Sequence, residues 1–565
     1  MRERLRPTND PTPDAPWYWT AAFAVAFFGF TFRLGSPSSG AELDASWAAV
    51  LGWAHLHGLR WGHEIVFTYG PLGWLHPKAP YEAALYPAFV AGQVLLGFGY
   101  TFLYASLFQR LAVFERLVFA AVALFACRAA PDALMLGAGI VAVVSLDRSA
   151  ETRRGTGMWI VLAIVALQVN AAGLVKFTAF PIAVALCGVG AVSFAYRRRS
   201  QMAFAWTGLW IAALLALWIG SGQQVSDLPA YVHTSLLVAA GHAAAMGVDS
   251  SGAILVLGLA SLVASGIALL VWWRDEGWRN WRAVVLAGHL ALCLWIAWKA
   301  GYTRADFWHT RFFFPLAAFV VFALVALRAS GRRWWTYATT AAICVASMVV
   351  TTVLWVREQP ELVYGVVERA TGVDAGRMRD AYETLRTRAQ RVFDLPGFRA
   401  RIGVARVDMF GCAQGIVLIN DFTYAPRPVF QTYATHTEPL QRINEAYYLG
   451  PDAPQFVILK LCTIDGRHPA GDDALALLAL MRTYRPLMQE KGYLLLERTP
   501  AVALALPTPP EPDVALRLEE WVDVPAGEGP VLVRFDYELS LLGGCAHSCC
   551  TNRCSPCTPW RRTAR

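Results

Sequence analysis

The sequence predicts an α-helical polytopic membrane protein: about eleven transmembrane helices, N-terminus inside and C-terminus outside, carrying a C-terminal extracytoplasmic α/β domain. Three observations carry that expectation. Of 565 residues, 56% are hydrophobic and 16% charged, whereas an ordinary soluble domain carries roughly 25% charge. Apolar stretches of bilayer length recur up to about residue 355 and then stop. The loops between them alternate between arginine-rich and arginine-poor, the asymmetry that orients membrane helices.

The stretches lie near 17–34, 85–108, 112–128, 132–147, 157–175, 177–196, 203–220, 252–273, 283–299, 311–328 and 335–355. Each can cross roughly 30 Å of hydrocarbon, the shortest with local thinning or a buried end. Arg2, Arg4 and Arg6 precede the first, as in a signal peptide. Its length and the spans that follow mark it instead as a retained helix behind a cytoplasmic tail, 1–16. With that tail inside, the inner segments hold 17 basic residues, all arginine, and the short outer loops hold eight. The 22 tryptophans suit headgroup depth. The net charge of +8 belongs to the inner arginines. No basic stripe with interleaved aromatics lies in a soluble region, so nucleic acid is excluded as a partner and the lipid bilayer is the first one.

The membrane part therefore covers 17–355, with a long outer loop at 35–84 and further outer connections at 221–251 and 299–310. Residues 356–504 form the α/β domain. Helical spacing runs over 374–394, apolar runs lie at 402–408, 415–419 and 455–461, and a helix over 473–490 precedes a strand at 493–497. A Pro-rich linker at 505–513 opens a partial β region that ends near 542. The end, 543–565, crowds Cys545, Cys549, Cys550, Cys554 and Cys557 beside His547. These ligands are too close together for a zinc ribbon, and the abrupt change of text reads as a frameshift or a chain cut short. Cys412 and Cys462 read either as a disulfide or as core thiols.

Ionisable groups at the mouth of a span are functional candidates, and three clusters share the outer face. In the loop 40–75, Glu42 and Asp44 open a helical spacing that predicts an amphipathic helix on the outer interface. These carboxylates either cap that helix or carry chemistry, and one carboxylate can do both. His55, His57 and Glu64 follow, and Tyr69 opens a turn, Tyr69-Gly70-Pro71-Leu72-Gly73. Lys176 sits between two spans with almost no loop; alone it reads as a snorkelling lysine. The third cluster sets Lys299, Arg304, Asp306, His309 and Arg311 in thirteen residues on the face where positive charge is depleted. One carboxylate against three fixed cations predicts an anionic ligand such as a phosphate or pyrophosphate.

With Glu42-Leu43-Asp44 after the first span, the architecture resembles the GT-C-fold glycosyltransferases, multispanning enzymes that take a sugar from a polyprenyl-phosphate carrier at the outer leaflet. FTYGPLG (67–73) and KAGYTRADFWHTRFFF (299–314) are similar to segments of a set of uncharacterised bacterial polytopic membrane proteins near that superfamily. The resemblance covers about the first 355 residues by architecture. It implies a multi-pass protein of the bacterial inner membrane. It makes Asp44 the general base that deprotonates an acceptor hydroxyl, with Glu42 orienting the acceptor or sharing the role. It makes Lys176, Lys299, Arg304 and Arg311 the donor-phosphate ligands, with His309 donating to the same phosphate. Asp306, His55, His57, Glu64 and Tyr69 are supporting candidates. The loop 221–251, with apolar Leu236, Leu237, Val238 and Ala239, would shield the lipid tail or gate the cavity. The acidic pair departs from the family in being separated by Leu43, and the outer domain lacks a WWDYG-like run, which sets aside an oligosaccharyltransferase. The acceptor is a glycan, lipid or protein. No cofactor is specified; a divalent cation at Glu42 and Asp44 remains open, since two carboxylates do not define a metal site.

Two other classes compete. A transporter or flippase for a lipid-linked or anionic substrate shares the cationic mouth, but it favours midplane charges and repeat symmetry, which this sequence lacks. A non-catalytic scaffold or sensor explains the outer domain and leaves the outer charges idle. The chain carries no Walker motif, Rossmann glycine pattern or HExxH sequence.

Overall fold

The computed structural model describes residues 16–32, 40–76, 83–151, 155–248, 250–328, 333–358, 375–462, 464–465 and 469–499. The N-terminal tail, the region 505–542 and the cysteine-rich end lie outside the described residues. Thirteen described helices precede the outer domain: α1 (Trp17–Thr31), α2 (Leu43–Leu56), α3 (Tyr86–Phe108), α4 (Val113–Ala129), α5 (Pro131–Glu151), α6 (Thr156–Val175), α7 (Phe180–Tyr196), α8 (Ser200–Gly220), α9 (Leu228–Met246), α10 (Gly252–Glu276), α11 (Trp281–Tyr302), α12 (Phe307–Leu327) and α13 (Trp334–Glu358).

Among the described residues, nine helices are long and apolar enough to cross a membrane: α3, α5 to α8 and α10 to α13. The shorter α1 and α4 lie against them. Phe23 of α1 stacks on Phe108 with ring centres 4.4 Å apart, and Phe27 on Tyr104 at 4.8 Å. The most enclosed helices are α5 and α12. Glycine lets neighbours approach α5 closely: a Cβ at Gly137 would fall 2.3 Å from the Tyr104 hydroxyl, and one at Gly139 would fall 2.2 Å from Ile182. At the opposite end of α5 from the outer loops, buried Asp147 accepts from Arg282 Nε at 2.8 Å and lies 3.5 Å from Arg197. Two of the inner-loop arginines are thus held by one carboxylate.

Three sequence expectations are corrected. The helix at 43–56 does not lie on a lipid interface, because its residues 45–52 and Ala54 are buried. The segment 221–251 is not only a loop; it holds the 19-residue α9. The connection between α11 and α12 shrinks to 303–306, which puts Lys299 in the last turn of α11 and His309 in the first turn of α12. Aromatic side chains continue both helices past the limits set by hydropathy alone.

The C-terminal domain, named outer after the topology the sequence predicts, contains α14 (Ala375–Phe393), α15 (Pro396–Ile402), β1 (Arg406–Phe410), α16 (Gly415–Ile419), β2 (Thr423–Tyr424), α17 (Glu438–Leu449), β3 (Phe456–Leu459), α18 (Ala474–Thr483), β4 (Tyr484–Glu490) and β5 (Tyr493–Arg498). Its sheet has the order β2-β1-β3-β5-β4. The first three strands are parallel, and β5 runs antiparallel to both β3 and β4. The expected helix over 473–490 is split: it ends at Thr483 and continues as the edge strand β4. Pro486 lies at the register shift of that strand, where the missing N–H is tolerated. A disulfide joins Cys412, just after β1, to Cys462, just after β3.

Arg427 is fully buried between Asp408 (3.2 Å) and Asp473 (3.5 Å). Tyr448 donates to Asp408 at 2.6 Å, and Asn444 donates to Asp473 at 2.7 Å. One guanidinium faces two carboxylates in a dry site, and burial pushes the Asp473 carboxyl from 3.8 up to about 6 against the pull of Arg427. The folded protein therefore keeps a proton that the unfolded chain releases. Stability present below about pH 4 is lost as pH rises to about 6, then levels off. Asp473→Asn is expected to flatten this window in melting curves taken from pH 4 to 7; an unchanged slope would discard the assignment.

Candidate functional site

The carboxyl ends of β1 and β3 turn toward the outer ends of the helices, and the domain is stitched to the outer loop. Gly415 N donates to Ser46 Oγ at 3.1 Å, and Val66 N donates to the Pro428 carbonyl at 2.8 Å. Phe67 packs on Phe430, and Trp53 packs on Tyr424, each with ring centres 5.0 Å apart. Gly415 sits so close that a Cβ would fall 2.2 Å from the Gly40 carbonyl oxygen. In α/β sheets this carboxyl edge is the usual ligand side.

Asp44 stands in the first turn of α2 and is exposed; Glu42, at the N-cap, makes no side-chain cap bond. Asp44 Oδ1 accepts from Trp47 Nε1 at 3.0 Å, and the Trp47 ring stacks on Tyr69 at 4.8 Å. Tyr69 in turn lies 5.1 Å from the Lys176 ammonium, ring centre to Nζ. The Tyr69 turn is laced to the α6–α7 corner, with Gly70 N donating to Val175 O at 3.1 Å and Phe177 N to Thr68 O at 3.0 Å. Gly70 allows this approach, since a Cβ there would fall 2.4 Å from Leu174 O.

Lys176 does not snorkel. Its Nζ lies 2.5 Å from Asp132 Oδ2 at the start of α5, and His76 Nε2 lies 3.3 Å from Asp132 Oδ1. Sequence reasoning missed Asp132 and His76. The signal was present: a carboxylate directly after Pro131 at the mouth of a span meets the criterion applied to Lys176. Beneath Asp132 and His76, a cavity of about 40 Å³ is bordered by Thr31, Gln93, Tyr100 and Cys127.

The third cluster is tied down by carboxylates. Asp306 caps α12 through His309 N at 3.1 Å, lies 2.7 Å from His309 Nδ1 and accepts from Arg304 Nε at 2.8 Å. Of the three fixed cations in this cluster, Asp306 thus pairs with Arg304. Asp465, from the loop after β3, takes the two terminal nitrogens of Arg304, one at 2.8 Å. Asp465 thus makes a contact between the C-terminal domain and the connection before α12. Arg311 lies over the Trp308 ring at 4.5 Å and donates to the Trp308 carbonyl.

Two residues missed in the sequence report on the space between these clusters. Burial raises the Tyr433 phenol, as do the charges of Asp44 and Tyr69, with Arg304 opposing. Enclosure by the surrounding elements also lowers the His242 imidazole on α9, as do His436, His309, Lys176 and Lys299. His242 and His436 face each other with ring centres 5.6 Å apart, and His242 is solvent-accessible. Tyr433 thus lies within electrostatic reach of Asp44 and Arg304, and His242 within reach of His436, His309, Lys176 and Lys299. The supporting candidates in the outer loop are engaged locally. His55 stacks on Trp74 at 4.7 Å, His57 stacks on Trp53 at 4.2 Å, and Glu64 pairs with Arg60 at 3.4 Å. Among the described residues, no three His, Cys, Asp or Glu side chains are grouped to hold a metal ion.

Comparison with known protein families, curated proteins and solved structures finds no match to this chain.

Proposed function

We propose that the chain is a membrane glycosyltransferase of the GT-C type, resident in the bacterial inner membrane with its outer domain on the extracytoplasmic side. It moves a sugar from a polyprenyl-phosphate donor to an extracytoplasmic acceptor. The observation that carries this reading is the gathering of the carboxylate Asp44 with Lys176, Lys299, Arg304 and His309 at one end of the helices, linked through Trp47 and Tyr69 and within electrostatic reach of Tyr433 and His242. The Cys412–Cys462 disulfide agrees with an oxidising compartment for that face. Asp44 takes the proton of an acceptor hydroxyl as the oxygen attacks the anomeric carbon. The bond from that carbon to the phosphate oxygen breaks, and the cations stabilise the charge left on the phosphate. Glu42, exposed one turn edge away, orients the acceptor.

The deciding assay incubates the purified protein in lipid with a panel of polyprenyl-phosphate sugars and acceptors and measures released polyprenyl phosphate. Folded protein that releases none from any donor would overturn the proposal and favour a transporter.

A further inference from the structure

The Arg304 guanidinium spends all three nitrogens on carboxylates. Nε goes to Asp306 on its own connection, and the two terminal nitrogens go to Asp465 on the outer domain. Asp306 is fixed as the cap of α12. The backbone beside Arg304 is fixed too: Val248 N donates to Thr303 O at 3.1 Å, and Ala305 N donates to Val248 O at 3.1 Å. Asp465 is held differently. Its two-pronged contact crosses from another domain, 161 residues away in sequence, and both side chains remain partly open to solvent. A fork of two parallel N–H groups is the geometry by which arginine grips carboxylate and phosphate alike.

We infer that Asp465 is a built-in competitor for the donor's phosphate: its carboxylate occupies the Arg304 fork in the resting protein, and the phosphate must displace it to bind. This rests on the glycosyltransferase reading for the identity of the ligand, but its test does not need turnover. A solvent-reachable ion pair is weak, so the phosphate, a singly charged diester in the donor and more highly charged in the product monophosphate, can exchange with it. The disulfide anchors the same segment three residues earlier, at Cys462, so the displaced carboxylate stays near the fork and rebinds when the product phosphate leaves. The contact thereby links occupancy of the anion site to the seating of the outer domain on the membrane part.

The test measures binding of a short-chain polyprenyl monophosphate to detergent-purified full-length protein by calorimetry. Asp465→Asn removes the competing charge. Asparagine tolerates the left-handed backbone at this position, φ 56°, so the loop keeps its path. Expected are a dissociation constant about 5-fold lower for Asp465→Asn, a value near wild type for Asp465→Glu, and loss of the gain when Arg304→Gln is added. An Asp465→Asn protein that binds no tighter than wild type would overturn the inference, as would a gain that survives Arg304→Gln. If wild type binds and Asp465→Asn gains nothing, only the competitor fails. If Asp44-dependent transfer is absent while Asp465→Asn still tightens binding, only the enzymatic reading fails.

Discussion

Asp44→Asn is expected to lower sugar transfer by about 10²–10⁴-fold, the usual contribution of a positioned general base, while leaving donor binding and melting temperature near wild type. The expectation follows from where the carboxylate stands. Asp44 is exposed at the start of α2, and one oxygen is fixed by Trp47 Nε1 at 3.0 Å. Trp47 is itself held against Tyr69 and Phe67, so the carboxylate has a set direction. Asparagine can still accept from Trp47, so folding is preserved, but it cannot take a proton. The readout is released polyprenyl phosphate per unit time. An Asp44→Asn protein with undiminished transfer would remove the base from this position and move attention to Glu42.

The second large effect is on stability. Lys176→Met is expected to destabilise the protein by about 3–5 kcal/mol, because it strands the buried Asp132 carboxylate at the outer end of the bundle. Asp132 keeps the His76 ring at 3.3 Å but loses the ammonium at 2.5 Å. The double variant Asp132→Asn/Lys176→Met carries no unpaired charge and is expected to recover most of the loss, as exchanges of whole buried pairs do. Thermal unfolding in one detergent, with the single and double variants side by side, checks this. A double variant as unstable as the single would show that Lys176 does something other than neutralise Asp132. The experiment also separates two roles for Lys176. A lysine that served only as a phosphate ligand would leave unfolding unchanged and weaken donor binding alone.

Much of the membrane part was legible in the sequence because hydropathy is a local property. The apolar stretches near 85–108, 157–175 and 203–220 coincide with α3, α6 and α8 to within a few residues. The same rule failed at 299–310, where tyrosine, tryptophan and histidine lower the average hydropathy although the chain there is helical on both sides. It also missed α9, whose apolar residues are interrupted by His233 and His242. In the outer domain the run 415–419 gave no clue to its state; it forms a short helix whose residues are all buried.

The candidate site divides along the same line. Sequence alone picked out Asp44, Lys176, Lys299, Arg304 and His309, because an ionisable group at the mouth of an apolar span is costly and stands out against its neighbours. Which charges neutralise which was decided only by the tertiary structure. Lys176 finds Asp132 across 44 residues, and Arg304 finds Asp465 across 161. The C-terminal domain brings Tyr433 within electrostatic reach of Asp44 and Arg304 and sets His436 against His242 of α9. Hydrophobic spacing reports how each segment meets lipid or core, one element at a time. Coulombic pairing acts between whatever side chains the packed helices and the seated domain place within a few ångströms, and that separation is written nowhere in the linear order.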